Sequence, residues 1–159
     1  MENNIFTSNK INELLSLLAG YRTEKHTFED KGYDFLDVGQ CFITVRNPEE
    51  ANNLSIKTGK EFTLFFGGWH KEYAADEEGF NEMIQVAQSI LNCSQGVYIL
   101  NSMNTSRYTI GPILSHKELK EKFIKNILHT NPEFKGLKLK NARLRLVAWQ
   151  TEYNKEVCF

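Results

Sequence analysis

Two short stretches with a two-residue period, followed by one long stretch with a helical period, constrain this chain most. Gln40 to Arg46 sets Cys41, Ile43 and Val45 against Phe42 and Thr44, and Glu61 to Phe66 sets Phe62, Leu64 and Phe66 against Glu61, Thr63 and Phe65. Successive side chains of a strand point to opposite faces, so each stretch predicts a strand with one strongly apolar face. Beyond Gly67-Gly68 the positions Phe80, Met83, Ile84, Ala87, Ile90 and Leu91 recur at the spacing of one helical face. Asp76 is placed to cap that helix, and Glu77 and Glu78 sit near its positive end.

Weaker patterns fill in the remainder. Ile11, Leu14, Leu15, Leu17 and Leu18 predict a first helix over about 8–19, with Thr7 or Ser8 as N-cap and Gly20 beyond its end. Tyr33 and Phe35 alternate as in a short strand, whereas the polar stretch from Asn47-Pro48 to Gly59 reads as a loop. Val97 to Met103 and Arg107 to Ile113 read as two strands around Asn104-Thr105-Ser106. Ser115-His116-Lys117-Glu118 has the form of a capping box, leading into a helix whose stripe is Leu119, Phe123, Ile124, Ile127 and Leu128. Arg143 to Trp149 alternates, and Tyr153 to Phe159 is placed to hairpin back through Thr151-Glu152. Three helices and five to seven strands, mostly in adjacent antiparallel pairs, predict an α+β class rather than βαβ units. A length of 159 residues suits a single α+β domain over 1–159.

Charge narrows the partners. Nineteen Lys and Arg against twenty Asp and Glu remove the general electrostatic case for nucleic-acid binding. The distribution is uneven: residues 1–100 hold eight basic and fifteen acidic side chains, residues 101–159 eleven and five. Either the two halves intermix in one fold, or the chain presents a basic face. Residues 115–145 concentrate nine of the basic side chains, which alternate largely with apolar positions and so also read as a solvated outer face. No apolar run is long enough for a spanning helix and no leader pattern opens the chain, so a cytoplasmic protein without membrane partners is expected. Three widely spaced cysteines predict free thiols and offer no metal pair. Nucleotide, dinucleotide and hydrolase motifs are missing, so neither cofactor nor resident metal is expected.

The most unusual string is Phe65-Phe66-Gly67-Gly68-Trp69-His70-Lys71-Glu72-Tyr73. In an extended backbone Trp69, Lys71 and Tyr73 point one way, and His70 and Glu72 share the other face roughly 7 Å apart. Imidazole and carboxylate so placed can hold a metal or move a proton, which makes His70 and Glu72 the catalytic candidates. The blander reading has the glycines end a strand, Trp69 and Tyr73 seal the core edge and His70 meet a backbone carbonyl.

Phe66 to Tyr73 resembles a Phe-Gly-x-Trp-His-x-(His/Glu)-Tyr motif of small bacterial α+β proteins, some of them immunity partners of secreted toxins. The resemblance covers about ten residues and implies that Trp69 and His70 lie at a shared surface or pocket. It carries no activity, and Glu72 stands where many such strings have a second His. Two functions follow from these residues. One is a non-enzymatic macromolecule-binding protein, immunity-like, using Trp69, His70, Glu72 and Tyr73 toward a protein partner. The other is a small hydrolase or metal-assisted enzyme with His70 as base or ligand, Glu72 beside it, and His26, Asp34 or Cys41 as a third group. A homodimer seam through outward aromatics such as Phe65 is a further expectation.

Overall fold

A computed structural model describes residues 2–123, 125, 129–134 and 136–159. The chain is of the α+β class, with all strand pairs antiparallel. Length suggests one domain, but residue contacts divide the chain into two compact units, 1–88 and 89–159. The uneven charge follows this division, because residues 89–100 contain no charged side chain. The first unit therefore carries eight basic and fifteen acidic side chains and the second eleven and five.

The first unit contains α1 (Glu2–Asn9), α2 (Ile11–Leu17), β1 (Thr23–His26), β2 (Phe42–Val45), β3 (Leu54–Lys57), β4 (Phe62–Phe66), β5 (Trp69–Tyr73) and most of α3 (Glu77–Leu91). Its five strands lie in sequence order, each paired with its chain neighbour. The core-facing side of the sheet carries Ile43, Val45, Leu54, Ile56, Phe62, Leu64 and Phe66, all buried. Phe62 meets Phe6 of α1 edge-on at 6.3 Å and Phe80 of α3 at 5.5 Å, so one β4 side chain ties both helices to the sheet. Lys10, between α1 and α2, lies 4.9 Å from the Phe80 ring centroid and pairs with Glu77 at 2.6 Å and Glu13 at 3.0 Å.

Here the structure departs from the sequence reading in several places. The first helix is two helices broken at Lys10, and Thr7 is not a cap but donates its hydroxyl to the Gly59 carbonyl at 2.7 Å. Tyr33 and Phe35 lie in successive turns rather than a strand. The expected loop before Gly59 contains β3, the central strand, whose four residues are too few to stand out among polar neighbours.

Strand β1 was also hidden, because exposed Lys25 takes the register position opposite Ile43. Lys71 does the same on the other edge, opposite Leu64. Both lysines are exposed, and a charged side chain on each edge strand opposes pairing with a further strand.

The second unit contains the end of α3, β6 (Gln95–Ser102), β7 (Thr105–Pro112), α4 (His116–Lys122), β8 (Arg143–Val147) and β9 (Lys155–Cys158), in the sheet order β7-β6-β8-β9. Tyr98, Leu100, Leu144, Leu146 and Val157 form the inner sheet face, covered by Leu119, Phe123 and Phe134. The capping box is present: Ser115 accepts from the Glu118 N–H, and the Glu118 carboxylate accepts from the Ser115 N–H. Ile124, Ile127 and Leu128, expected on the stripe of this helix, and Lys135 lie outside the described residues. A single 3-10 turn, Thr151–Tyr153, returns the chain into β9 beside β8.

Asp76 caps α3 as the sequence predicts, its Oδ1 accepting from the Gly79 N–H at 2.7 Å. At Gly79 a Cβ would lie 2.1 Å from the Ala74 carbonyl oxygen, a backbone atom that cannot swing aside. Asp76→Ala is expected to cost about 1 kcal/mol. Gly79→Ala should cost about 2 to 3 kcal/mol through overpacking, and urea midpoints at unchanged slope give the check.

Candidate functional site

Strands β4 and β5 form a hairpin joined by Gly67 and Gly68 alone, with φ of +56° and +85°. Two central residues with positive φ give the turn whose twist matches that of the flanking strands, and glycine takes this conformation without steric cost. The turn sets the register: Phe66 opposes Trp69, Phe65 opposes His70, Thr63 opposes Glu72 and Phe62 opposes Tyr73. The backbone past the glycines is extended, and His70 and Glu72 share the outer face.

That register overturns the expectation that Trp69 and Tyr73 are surface anchors. Their partners Phe66 and Phe62 face the core, so they do too, at 8% and 4% exposure. Burial, and then the charge of Glu82, raise the Tyr73 hydroxyl to about 12. Among the described residues that hydroxyl has no hydrogen-bond partner. Lys71, on the same side, holds its ammonium 5.0 Å from the Tyr73 ring centroid.

The outer face carries a chain of rings that the sequence analysis does not bring together. His26 stacks on Tyr33 at 4.1 Å with 8° between planes, Tyr33 meets Phe42 at 5.8 Å, Phe42 meets Phe65 at 5.9 Å and Phe65 meets His70 at 5.9 Å. Phe35, 56% exposed, packs edge-on to Phe42 at 5.9 Å. Each successive pair lies within the separation at which aromatic rings attract. Alternation already turned Phe42 and Phe65 outward. Their meeting depends on β3 lying between their strands, with Lys57 and Ser55 of β3 pairing Phe42 and Phe65 respectively.

Charge surrounds the rings. Arg46 donates to Glu24 at 2.7 Å, and this bond holds the Glu24 carboxyl down to about 2, well below the usual carboxylate range. His26 lies 3.5 Å from Glu24 and 3.6 Å from Asp30. At the other edge Glu61 is pushed above the usual range, first by desolvation and then by the charge of Glu72 and a hydrogen bond to it. Glu72 and Glu61 line a recess of ≈ 280 Å³ with Phe35, Asp37, Gln40 and Lys57 among its walls. His70 is not part of that lining, so imidazole and carboxylate share a face but not a pocket.

Two of the expected third groups, His26 and Cys41, do not join His70. His26 is on the opposite edge strand, four strand spacings or about 19 Å away. Cys41 is buried, and desolvation raises its thiol, which disfavours the nucleophilic thiolate. Among the described residues no three His, Cys, Asp or Glu side chains are grouped to hold a metal ion, and no helix is long and apolar enough to cross a membrane. Compared with protein-family models, with curated proteins and with solved structures, the chain matches none.

Two outcomes follow from this geometry. Tyr73→Phe removes an orphaned hydroxyl and should leave stability unchanged or raise it by up to about 1 kcal/mol, measured by denaturant unfolding. Arg46→Met should return the Glu24 titration, followed by carboxyl NMR, to the usual range. Because its folded value is depressed, Glu24 contributes stability above the unfolded value and loses it as pH falls toward about 2. The variant should lack that part of the acid dependence.

Proposed function

We propose that this chain is a non-enzymatic binding protein, of the immunity-like kind its motif resembles, whose contact surface is the outer sheet face of the first unit. The observation that carries this reading is the row of touching rings from Tyr33 through Phe42 and Phe65 to His70 on a face that antiparallel sheets ordinarily make polar. Contiguous apolar area rimmed by polar groups marks interaction sites, and aromatic side chains supply much contact area for little lost entropy. Phe42, Phe65, Phe35 and His70 take the anchoring role, with Glu72 at the rim.

The partner that fits is a protein with positive charge around an apolar centre. Glu24, Asp30, Glu61 and Glu72 border the rings, and the unit that holds them carries a surplus of acidic side chains. Complementary charge of this kind speeds encounter and rejects wrong partners. The enzymatic alternative, His70 as base or ligand beside Glu72, retains their common exposed face as its support, without His26 or Cys41 beside them.

The immobilised chain should capture from its native extract one stoichiometric protein with a basic contact face. Phe65→Ser should weaken that complex at least about thirtyfold, the loss typical of an anchor at an interface centre, whereas exposed Leu17→Ser on α2 should not. Circular dichroism of each variant confirms folding. Retention of the partner by Phe65→Ser overturns the assignment of the face. Light scattering that shows a dimer broken by Phe65→Ser identifies a second copy as the occupant and overturns the choice of partner. A small-molecule turnover abolished by His70→Ala favours the enzyme instead.

A further inference from the structure

The second unit holds a recess of ≈ 490 Å³, lined by Asn101, Met103, Lys138, Lys140, Asn141 and Arg143. Every ionisable group in that lining is cationic. Leu137 and Leu139 pack on the second core, so the alternating Lys138 and Lys140 are left exposed at the recess.

The segment is held at several points. The Ser102 hydroxyl donates to the Lys138 carbonyl at 2.5 Å, the Ala142 N–H donates to the Leu139 carbonyl at 2.8 Å, and the Asn141 N–H donates to the Phe159 carbonyl at 3.2 Å. Among the described residues no carboxylate lies within ion-pair distance of Lys138 or Lys140, and Arg143 has Glu156 at 3.6 Å. Ser106 donates to the Asn101 side-chain oxygen at 2.7 Å, which leaves the Asn101 amide N–H groups as donors.

We propose that this recess binds a small anion bearing a phosphate group, held by Lys138, Lys140 and Arg143 with Asn101 as a neutral donor. Gathering three cations around one concavity creates a local positive potential that a multiply charged anion relieves. A guanidinium presents a planar fork to phosphate oxygens, and ammonium groups add point charge. The volume lies within the range of small-molecule sites, which favours a compact ligand over an extended polyanion. The site is in the second unit and is independent of the protein-binding face assigned to the first.

Inorganic pyrophosphate is the probe, titrated into the full chain at low ionic strength by calorimetry and by amide NMR. Saturable binding of one pyrophosphate per chain with Kd below about 1 mM is expected, with shifts centred on residues 101–103 and 138–143. The double variant K138A/K140A should weaken binding at least about tenfold, while K117A/K120A, which removes equal charge from exposed positions of α4, should change it less than about twofold. Circular dichroism confirms that both variants are folded. Failure to saturate by about 10 mM overturns the proposal, as does equal weakening in the two variants, which would assign binding to net charge. A single-stranded oligonucleotide or polyglutamate that displaces pyrophosphate at lower concentration than pyrophosphate itself binds also overturns it, in favour of a macromolecular polyanion.

Discussion

The register of one hairpin governs the first unit. Gly67 and Gly68 both adopt positive φ, the tight turn pairs Phe66 with Trp69, and every later residue of β5 inherits its face from that pairing. A slip of one residue would carry Trp69 and Tyr73 into water and His70 and Glu72 into the core, because strand side chains alternate with a period of two. The same turn therefore seals the inner core with two large aromatics and completes the outer row of rings at His70. Core and surface are two sides of one constraint.

The two faces of that sheet are protected differently. On the inner side Lys25 and Lys71 terminate the central apolar row on the two edge strands, which opposes edge-to-edge pairing. On the outer side Phe42 and Phe65 touch across β3, beside Lys57 and Ser55 of that strand. The sheet is thus charged at both edges and aromatic on its outer face. The acidic groups at its border and the cationic recess of the second unit belong to separate compact units, so the nearly neutral whole-chain charge conceals two units of opposite charge sign.

Much of the fold was legible, and the reason is local. Strands β2 and β4 show through Ile43/Val45 and Phe62/Leu64/Phe66, α3 through its stripe and Asp76, and α4 through a capping box complete within four residues. Strand β3 was not legible, since Leu54 and Ile56 are two apolar residues in a polar stretch. Strand β1 was concealed because Lys25, and not an apolar residue, takes the position opposite Ile43. The break at Lys10 was equally invisible, because the apolar spacing of Ile11, Leu14 and Leu18 is the same whether the preceding turn continues or bends.

The candidate site divides along the same line. Sequence alone predicted that His70 and Glu72 share one side if the segment past the double glycine is extended, and the pairing of β5 with β4 supplies that extended backbone. Sequence also determined that Phe42 and Phe65 point away from the apolar side of their strands. Only tertiary structure decided that Trp69 and Tyr73 are interior, that Phe42 and Phe65 touch across β3, that Glu72 finds Glu61 rather than His70 as its neighbour, and that Lys138, Lys140 and Arg143 border one concavity. Those outcomes depend on which strands lie side by side. Pairing between distant segments is set by burial of whole faces, a property no short window of residues contains.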